Sequence, residues 1–347
     1  MTHVPWKPLC TFAAVTLSVL TVGAILCARP LPQNSSPRGT LLSRLGRRAG
    51  DGQTNLQIGS AHAKLRTSPP PVSYSFGLID VPLSTEGAPF GINDLKQMVG
   101  GYNDLNLTAY AADHGFVLKG KGFATIDYPG ALQTAAYAIN KSGEIVGMFV
   151  DNVTGRSHGF KLVGSTFTQL DYPGADDTVA LGINSSGDIV GIWDTASSQA
   201  NGFVLSGGVY SLITVPGAES TFVEGINKSG VIVGYYFDTS GNSHGLVDKG
   251  GVLTTIDYSG YPDSYLAGIS DSGLMLGGYG SPTTIGSTTY LWTHGFLYSG
   301  GTFSTFDVPF GDVAATEPYG MNNHGEIVGG YVDGAGMTYG FYAKATP

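Results

Sequence analysis

The chain has 347 residues, of which 53 are Gly and 18 are Pro, while only 12% are charged. Glycine and proline favour turns and interrupt helices, so this composition excludes a mainly helical protein. The hydrophobic share of 42% excludes a chain that is disordered throughout, because enough apolar side chains are present to bury a core.

Charge is divided unevenly along the chain. Residues 1–66 contain eight Lys and Arg residues and one acid, a net charge of +7, whereas residues 67–347 have a net charge of −16. A domain with this negative charge repels the phosphate groups of nucleic acids, which argues against nucleic acid as a partner. The same charge favours cations or basic proteins.

Residues 1–28 contain the apolar run Leu9–Ala28, which has no charged residue. As a helix this run would be about 30 Å long, enough to cross a bilayer. It predicts a signal peptide or an uncleaved membrane anchor, and a membrane contact only through residues 9–28 if it stays attached. Both cysteines, Cys10 and Cys27, lie in this segment, so the rest of the chain can form no disulfide, zinc–thiolate site or cysteine nucleophile.

Residues 29–73 are rich in Pro, Ser and Arg and include Ser68-Pro69-Pro70-Pro71. Such a composition is typical of a disordered linker. We therefore expect a flexible spacer between the leader and a folded domain over residues 74–347.

From residue 74 onward the chain repeats one unit six times. The most regular position, here called the anchor, is occupied by Asn93, Asn140, Asn184, Asn227, Ser270 and Asn322. Two positions before the anchor there is Gly or Ala, seven after it there is Gly, and nine after it there is an aromatic residue. The last interval is the longest and contains an insertion near Thr283–Thr289. A period of this length is typical of a repeat architecture.

Each unit is predicted to contain four short strands separated by turns. In the second unit these are Ala135–Asn140, Glu144–Asp151, Ser157–Val163 and Phe167–Pro173. Four antiparallel strands per ~40–45 residues are typical of a propeller blade. We therefore predict an all-β protein, a six-bladed β-propeller of four-stranded antiparallel blades, preceded by an apolar leader helix.

The repeated small and aromatic residues predict how the blades pack. The Gly or Ala before the anchor would let six innermost strands crowd at the axis. The aromatic residue after it would fill the wedge between adjacent blades. Tyr74–Pro82 matches the fourth strand of a unit and Thr338–Lys344 the third, so the N-terminal strand is predicted to complete the last blade and close the ring.

A His-Gly-Phe triplet follows the aromatic position, as in His114-Gly115-Phe116, and the segment from Ile139 to Gly147 fits the pattern Ile-Asn-x-x-Gly-x-Ile-Val-Gly. These residues resemble the extracellular HAF-repeat proteins of bacteria, named for a His-Ala-Phe triplet. The resemblance covers residues 75–347 and implies an exported, repeat-built β-protein, secreted or associated with the cell envelope. It implies no catalytic residues. Asn201 and Tyr339 replace the His in units 3 and 6, so this His is not required in every unit.

The recurring polar residues are interpreted as structural. His114, His158, His244 and His294 share one position, and blades rotated about an axis would not bring them to a common metal ion. Their expected role is a bond to neighbouring backbone. An Asp after the fourth strand, such as Asp127, is expected to fix a turn rather than to bind calcium.

Residues that break the repeat near the axis are the candidates for function. The connections expected at the axial mouth carry Glu86, Asp176, Asp177, Glu219, Asp263 and Asp312. They are interpreted as solvated loop acids or, alternatively, as a ligand-binding acidic ring that could hold a cation. Glu224 lies on a predicted innermost strand where other units have Phe, Tyr, Leu or Ala, and is the candidate catalytic residue.

Three functions stay open. Uniform repetition without a concentrated set of catalytic groups favours a non-catalytic, monomeric binding or scaffolding module for an extracellular protein or glycan, with no cofactor. The alternative is a glycan lyase or hydrolase in which Glu224 acts with Asp177 or Asp263, since two carboxyls about 5–10 Å apart support glycoside hydrolysis. A second alternative is a structural protein stabilised by Ca²⁺.

Overall fold

The computed structural model describes residues 73–81, 84–104, 113–195, 199–285, 288–291 and 293–346. The predicted leader, residues 1–28, and the predicted linker up to residue 72 lie outside the described residues. All regular secondary structure that is described is β-strand. The described part of the chain accordingly offers no apolar helix long enough to cross a membrane.

The strands of the first five units follow the predicted order of four per unit. Unit 1 comprises β2 (Ser84–Ile92), β3 (Met98–Asp104), β4 (Asp113–Lys119) and β5 (Gly122–Ile126), and unit 2 comprises β6 (Ala131–Ile139), β7 (Ile145–Asp151), β8 (Ser157–Val163) and β9 (Thr166–Leu170). Unit 3 comprises β10 (Asp177–Ile183), β11 (Ile189–Asp194), β12 (Asn201–Ser206) and β13 (Val209–Ile213), and unit 4 comprises β14 (Ser220–Ile226), β15 (Val231–Phe237), β16 (Ser243–Lys249) and β17 (Val252–Ile256).

The fifth and sixth units contain the two departures from this order. Unit 5 comprises β18 (Asp263–Ile269), β19 (Met275–Gly280), β22 (His294–Ser299) and β23 (Thr302–Phe306), and its insertion forms a hairpin of β20 (Thr283–Ile285) and β21 (Thr288–Tyr290). Unit 6 has three strands of its own, β24 (Val313–Met321), β25 (Ile327–Asp333) and β26 (Thr338–Ala345). The first strand of the chain, β1 (Tyr74–Ile79), pairs with β26 in antiparallel register from Tyr74–Ala345 to Ile79–Gly340.

The sheets are built from antiparallel neighbours in chain order. Units 2 to 5 each form a separate four-stranded sheet. Units 6 and 1 instead belong to one eight-stranded sheet, because β2 makes a single parallel pair with β26, between Gly87 and Tyr339. The predicted four-stranded antiparallel sheets are thus found for units 2 to 5, whereas the sheet that contains units 6 and 1 is mixed.

Hydrophobic clusters lie between neighbouring units. Val99 and Ile126 of unit 1 pack with Phe149 and Phe160 of unit 2. Tyr128, in the connection from unit 1 to unit 2, stacks on Phe149 with ring centroids 3.6 Å apart. The aromatic residue nine positions after the anchor thus packs between two units, as predicted, and excludes water from a broad apolar surface.

The first strands of adjacent units approach closely. A Cβ atom added to Gly91 would lie 2.6 Å from the carbonyl oxygen of Tyr137 in the next unit, and one added to Gly320 would lie 2.5 Å from that of Phe90. A side chain at Gly91 or Gly320 would therefore force these strands apart. The restriction to Gly or Ala two positions before the anchor is therefore a consequence of backbone crowding, as predicted.

The anchor residues link the units in series. In each Asn anchor, Oδ1 accepts hydrogen bonds from backbone amides two and four positions later and so shapes the turn, as for Asn184 with Ser186 and Asp188. The Nδ2 group donates to the anchor carbonyl of the following unit: these bonds run from Asn93 to Asn140, Asn140 to Asn184, Asn184 to Asn227, Asn227 to Ser270 and Asn322 to Asn93, at 3.0–3.2 Å. The turn role was predicted, whereas the link between units was not.

Candidate functional site

The first strand of every unit contains a β-bulge three positions before the anchor. In unit 2 the register with β7 shifts between Ala136 and Ala138 and skips Tyr137. The same shift recurs in the other five units. The skipped residues, here called the bulge residues, are Phe90, Tyr137, Leu181, Glu224, Ala267 and Tyr319. A bulge re-aims a side chain out of the regular alternation of a strand.

Bulge residues of adjacent units come together. The Phe90 ring lies 5.4 Å from the Tyr137 ring of the next unit and 5.5 Å from the Tyr319 ring of unit 6. Tyr137, Glu224 and Tyr319 are half-buried, although the residue before each of them is buried. Three of the bulge residues thus keep part of their surface accessible, whereas Phe90 and Leu181 are buried.

Glu224 places a carboxyl group in this region. Its Oε1 atom is enclosed and accepts no hydrogen bond from any described residue. Burial disfavours the charged form and raises the pKa of Glu224 to about 8. The side chain is thus a largely neutral acid at pH 7, which is the state that a general acid or a proton-linked binding group requires.

A second buried carboxyl, which the sequence analysis missed, lies in unit 6. Glu317 is 6% exposed, and its Oε2 atom accepts a 2.7 Å hydrogen bond from the Tyr319 hydroxyl. Burial raises the pKa of Glu317 to about 7, and the Tyr319 bond offsets part of that rise. The signal was available, because Glu317 stands five positions before the anchor, where the other units have Ala, Val, Phe or Tyr.

The charges of both carboxyl groups affect the pKa of one phenol, that of Tyr265. Burial first, and then the charges of Glu317 and Glu224, raise the pKa of Tyr265 well above its usual range. The Tyr265 hydroxyl donates to the carbonyl oxygen of Pro318, the neighbour of Glu317, at 2.8 Å. We call the group of Phe90, Tyr137, Glu224, Tyr265, Glu317 and Tyr319 the axial cluster.

Asp177 and Asp263, which were expected to act with Glu224, have other partners. The Oδ1 atom of Asp177 accepts a 2.6 Å hydrogen bond from the backbone amide of Ser157 in the preceding unit. Asp263 is 2% exposed, and its Oδ1 atom accepts bonds from the amide and hydroxyl of Ser243, also in the preceding unit. Both carboxylates therefore tie one unit to the next.

Asp176 lies at the same edge of unit 3. It forms a 2.6 Å ion pair with Arg156 of unit 2. Burial first, and then the charges of Asp177 and Asp176, raise the pKa of nearby Asp194 to about 6. Asp176, Arg156, Asp177 and Asp194 thus form a local network of charged residues where units 2 and 3 meet.

The remaining mouth acids are dispersed. Glu219 and Asp312 are exposed, and the Asp312 carboxylate lies over Gly334 of its own unit. Glu86 lies in β2 opposite Asn103, and its side chain lies outside what the structure describes. Among the described residues, no three His, Cys, Asp or Glu side chains are placed to hold one metal ion.

The triplet histidines bond to carboxylates rather than to the backbone partner that was expected. Nδ1 bonds to the Asp thirteen residues later in His114–Asp127, His158–Asp171, His244–Asp257 and His294–Asp307, at 2.8–3.1 Å. Each His ring also stacks on the aromatic residue nine after the anchor, with centroids 5.1–5.2 Å apart. The carboxylates are 41–54% exposed, so these His–Asp pairs lie at the surface.

The sequence contained a sign of this pairing. Unit 3 has Asn201 in place of His and Thr214 in place of Asp, so both partners change together at the same spacing of thirteen. Residues that pair across two strands are expected to change together, because either one alone would leave a poor contact. Unit 6 keeps Asp80 although its triplet begins with Tyr339.

One His–Asp pair borders a pocket between units 1 and 2. The pocket has a volume of about 220 Å³ and is lined by His114 and residues 127–134. Its wall combines the His114–Asp127 pair with the Tyr128 ring, the Gln133 side chain and the half-exposed Leu132. Such a mixture of polar groups and apolar faces suits a ligand that carries hydroxyl groups on a compact apolar frame.

No family model and no curated protein matches the sequence. Similar solved structures include the Aleuria aurantia lectin in complex with Fucα1-6GlcNAc, at 11% identity over 74% of this chain and 91% of that one, with a TM-score of 0.46. A putative TolB from Agrobacterium tumefaciens has 15% identity over 75% and 90%, with a TM-score of 0.47. A Hadza microbial sialidase has 11% identity over 76% and 66%, with a TM-score of 0.49.

Proposed function

We propose that residues 74–347 form a six-bladed β-propeller that is closed by the N-terminal strand. The pairing of β1 with β26 supports this proposal, because it supplies a fourth strand to unit 6. The anchor bond from Asn322 to Asn93 supports it as well, because it joins unit 6 to unit 1. The Lys96–Glu326 ion pair, at 2.7 Å, adds a further contact between units 1 and 6.

We further propose that this domain is a non-catalytic binding module for an extracellular glycan or protein. The observation that carries the proposal is the repetition of one surface arrangement, a His–Asp pair against an aromatic ring, in four units. Repeated weak sites on one rigid domain give a multivalent ligand a much higher avidity than any single site. A glycan fits this arrangement because its hydroxyls can bond to the exposed carboxylates and to the His rings that pair with them.

The proposal places the protein outside the cell or on the bacterial cell envelope, as a monomer related to the HAF-repeat proteins. Its support is the leader-like run Leu9–Ala28 and the acidic composition of the remaining chain. Fractionation of cells that express the full chain tests the location, and light scattering of the purified protein tests the oligomeric state.

A binding screen tests the proposed function. The purified protein is applied to a glycan array and to immobilised surface proteins, beside the variant Asp127→Asn and the matched control Asp80→Asn, whose unit lacks the His. We expect a multivalent glycan to be retained by the wild type and the control, and to be lost or weakened at least ~10-fold in Asp127→Asn. Equal retention by all three proteins would show that the His–Asp surface is not the binding site.

A second candidate function is glycan hydrolysis or lysis, which the two buried acids of the axial cluster favour. Glu224 and Glu317 are the carboxyls that this reaction would use. If a glycan substrate is turned over, Glu224→Gln should reduce the rate at least ~100-fold, and an unchanged rate would exclude the assignment. The third candidate, stabilisation by Ca²⁺, predicts a melting temperature that falls when a chelator is added.

A further inference from the structure

Tyr261 breaks the repeat at the surface of unit 5. It lies in the connection between β17 and β18, nine positions before the anchor, where the other units have Ser, Ala or Val. Tyr261 is 41% exposed, and Tyr339 is the only other exposed aromatic residue in the part of the chain that the structure describes. A requirement shared by all units does not explain this residue, so it is a candidate for function.

The Tyr261 ring stands against other aromatic rings of the same unit. Its centroid lies 4.8 Å from that of Tyr279, at an interplanar angle of 70°, and 5.9 Å from that of Tyr258. Contacts of an aromatic edge with an aromatic face are favourable and hold a ring in one orientation. Tyr261 is therefore held in place while much of its surface stays accessible, which reduces the entropy that a ligand loses by ordering this side chain.

The His–Asp pair of unit 5 lies beside this ring. The ring centroids of His294 and Tyr261 are 6.3 Å apart, and Nδ1 of His294 lies 3.1 Å from each carboxylate oxygen of Asp307. The His294 side chain is 37% exposed, whereas the paired histidines of units 1, 2 and 4 are 21–24% exposed. An accessible phenol ring, an accessible imidazole and an exposed carboxylate thus share one edge of unit 5.

His294 also differs from the paired histidines of units 2 and 4 in what its second ring nitrogen faces. In those two units Nε2 lies 3.4 Å from a second Asp carboxylate, eleven positions after the anchor. That position is Ser281 in unit 5, and Nε2 of His294 makes no hydrogen bond with any described residue. Because Nδ1–H donates to Asp307, the neutral imidazole presents Nε2 as an acceptor. The site therefore offers two kinds of acceptor, Nε2 and a carboxylate, to a ligand that carries hydroxyl donors.

We propose that Tyr261, His294 and Asp307 form the strongest saccharide site of the domain, and that this site selects neutral pyranoses. The sugar places a face of C–H groups on the Tyr261 ring, whose π face is electron-rich, and its hydroxyls donate to His294 and Asp307. An acidic sugar is disfavoured, because its carboxylate approaches that of Asp307 on a domain whose residues 67–347 have a net charge of −16. The inference rests on the proposed glycan-binding function and adds to it one unit, three residues and a class of sugar.

Titration of the full chain, followed by saturation-transfer NMR, tests the proposal. The neutral probes are methyl β-D-galactopyranoside, methyl β-D-glucopyranoside and methyl α-D-mannopyranoside. The acidic comparator is methyl β-D-galactopyranosiduronate, which differs from the galactoside by a carboxylate in place of the hydroxymethyl group. We expect saturable binding of a neutral probe, with the strongest transfer to the C–H protons of one sugar face. The acidic comparator should bind at least ~5-fold more weakly than the galactoside at low ionic strength.

Variants of unit 5 assign the binding to these residues. Tyr261→Ala gives unit 5 the residue that units 2, 3 and 4 have at this position, so it should melt like the wild type while it weakens binding at least ~10-fold. Tyr261→Phe keeps the ring and is the matched control, with a change in affinity of less than ~3-fold. Asp307→Asn should reduce the preference for the galactoside over its acidic analogue, an effect that a purely structural role of Asp307 does not predict.

The outcomes separate this inference from the function on which it rests. Equal affinity of Tyr261→Ala and Tyr261→Phe for the neutral probes would overturn the unit 5 site, and so would the absence of saturable binding of all three up to about 50 mM. In either case a multivalent glycan that is retained by the wild type and lost in Asp127→Asn would leave the His–Asp surface as the binding site. If the wild type retains no glycan at all, both proposals are wrong.

Discussion

Single polar side chains perform two tasks in this repeat, as Asn184 illustrates. Its Oδ1 atom accepts bonds from two backbone amides of its own turn, and its Nδ2 group donates to the carbonyl of Asn227 in the next unit at 3.2 Å. The natural substitution at Ser270 keeps a turn bond, because its Oγ atom accepts from the amide of Leu274 at 3.1 Å. Ser at this position therefore retains the turn and loses the link between units.

This division of tasks predicts a graded series at Asn184. Asn184→Ala removes both functions and should lower the free energy of unfolding by about 2–4 kcal/mol. Asn184→Ser should cost about half as much, since the turn bond can persist. Urea unfolding followed by circular dichroism measures both values. Equal losses for the two variants would contradict the assignment of separate turn and link contributions.

Glu224 predicts an unusual dependence of stability on pH. In the unfolded chain a Glu ionises near pH ~4.3, whereas the pKa of folded Glu224 is about 8. Between these values the unfolded state is ionised and the folded state keeps its proton, so the stability that this group contributes is lost as pH rises towards 8. Glu224→Gln stays neutral and should therefore gain stability relative to the wild type between pH 4 and pH 8, by up to about 5 kcal/mol or about 1.4 kcal/mol for each pH unit between the two pKa values.

Thermal melts of the wild type, Glu224→Gln and the exposed control Glu219→Gln across this pH range measure the effect. The control should follow the wild type at every pH. A difference between Glu224→Gln and the wild type that does not change with pH would show that Glu224 titrates normally in the folded protein.

At the scale of the strands, the His–Asp pairs fasten the third strand of a unit to the turn after its fourth strand. The hydrogen bond with Asp257 raises the pKa of His244, and the Asp238 contact adds to it while burial opposes it. A raised His pKa contributes stability that is fully present below the unfolded value of ~6.5 and is lost as pH rises through the folded value. His244→Gln should therefore cost more at pH 6 than at pH 9.

The expected cost of His244→Gln at pH 6 is about 0.5–1 kcal/mol, because the pair is partly exposed to solvent. His324, which is exposed and lies in a turn, supplies the control variant His324→Gln. Chemical unfolding at the two pH values measures the change. A cost for His244→Gln that grows towards pH 9 would contradict the assignment.

Unit 3 allows the His–Asp pair to be built where it is missing. Trp193 lies opposite Asn201 in the same register as Tyr102 opposite His114. The double variant Asn201→His/Thr214→Asp should therefore form a fifth pair, with a favourable coupling of about 0.5–1 kcal/mol in a double-mutant cycle. Additive effects of the two substitutions would mean that the pair does not form in this unit.

The sequence was informative wherever one structural requirement recurs in every unit. The close backbone approach at Gly91 and its equivalents, and the packing of Phe149 between units, were both predicted because only small or aromatic residues meet those requirements. The link from one anchor to the next was missed, since the local turn already explains an Asn. Glu224 was identified because it differs from the residues at the same position of the other units. Glu317 also differs from its equivalents, at the position two residues earlier in the unit, and was overlooked.

The prediction for Asp177 and Asp263 illustrates a different difficulty. Both occupy the position seven before the anchor, which indicated that they face a common environment. That environment is the backbone of the preceding unit rather than an open mouth, as the Ser157 and Ser243 bonds demonstrate. The direction in which a carboxylate points at the start of a strand depends on its contacts with the neighbouring unit. The sequence of one repeat alone does not contain that information.

At the scale of the whole molecule, the proposed closed ring depends on the junction between units 6 and 1. The contacts that meet there include β1 with β26, the Asn322–Asn93 bond, and Lys96 with Glu326. Burial of Glu326 alone would raise its pKa, but hydrogen bonds from Lys96, Tyr342 and Asn322 outweigh it and lower the pKa to about 2. The stability that Glu326 contributes is present above pH ~4.3, the pKa of an unfolded Glu. It is lost as pH falls through the pKa of Glu326 in the folded protein.

Hydrogen exchange of the intact protein, read by mass spectrometry, tests this junction most directly. If the ring is closed, amides of β1 and β26 are protected as strongly as those of β16 and β17, which pair within unit 4, because closure makes opening of either strand part of a larger unfolding event. Rapid exchange of β1 and β26 at pH 7, with β16 and β17 still protected, would contradict a closed ring.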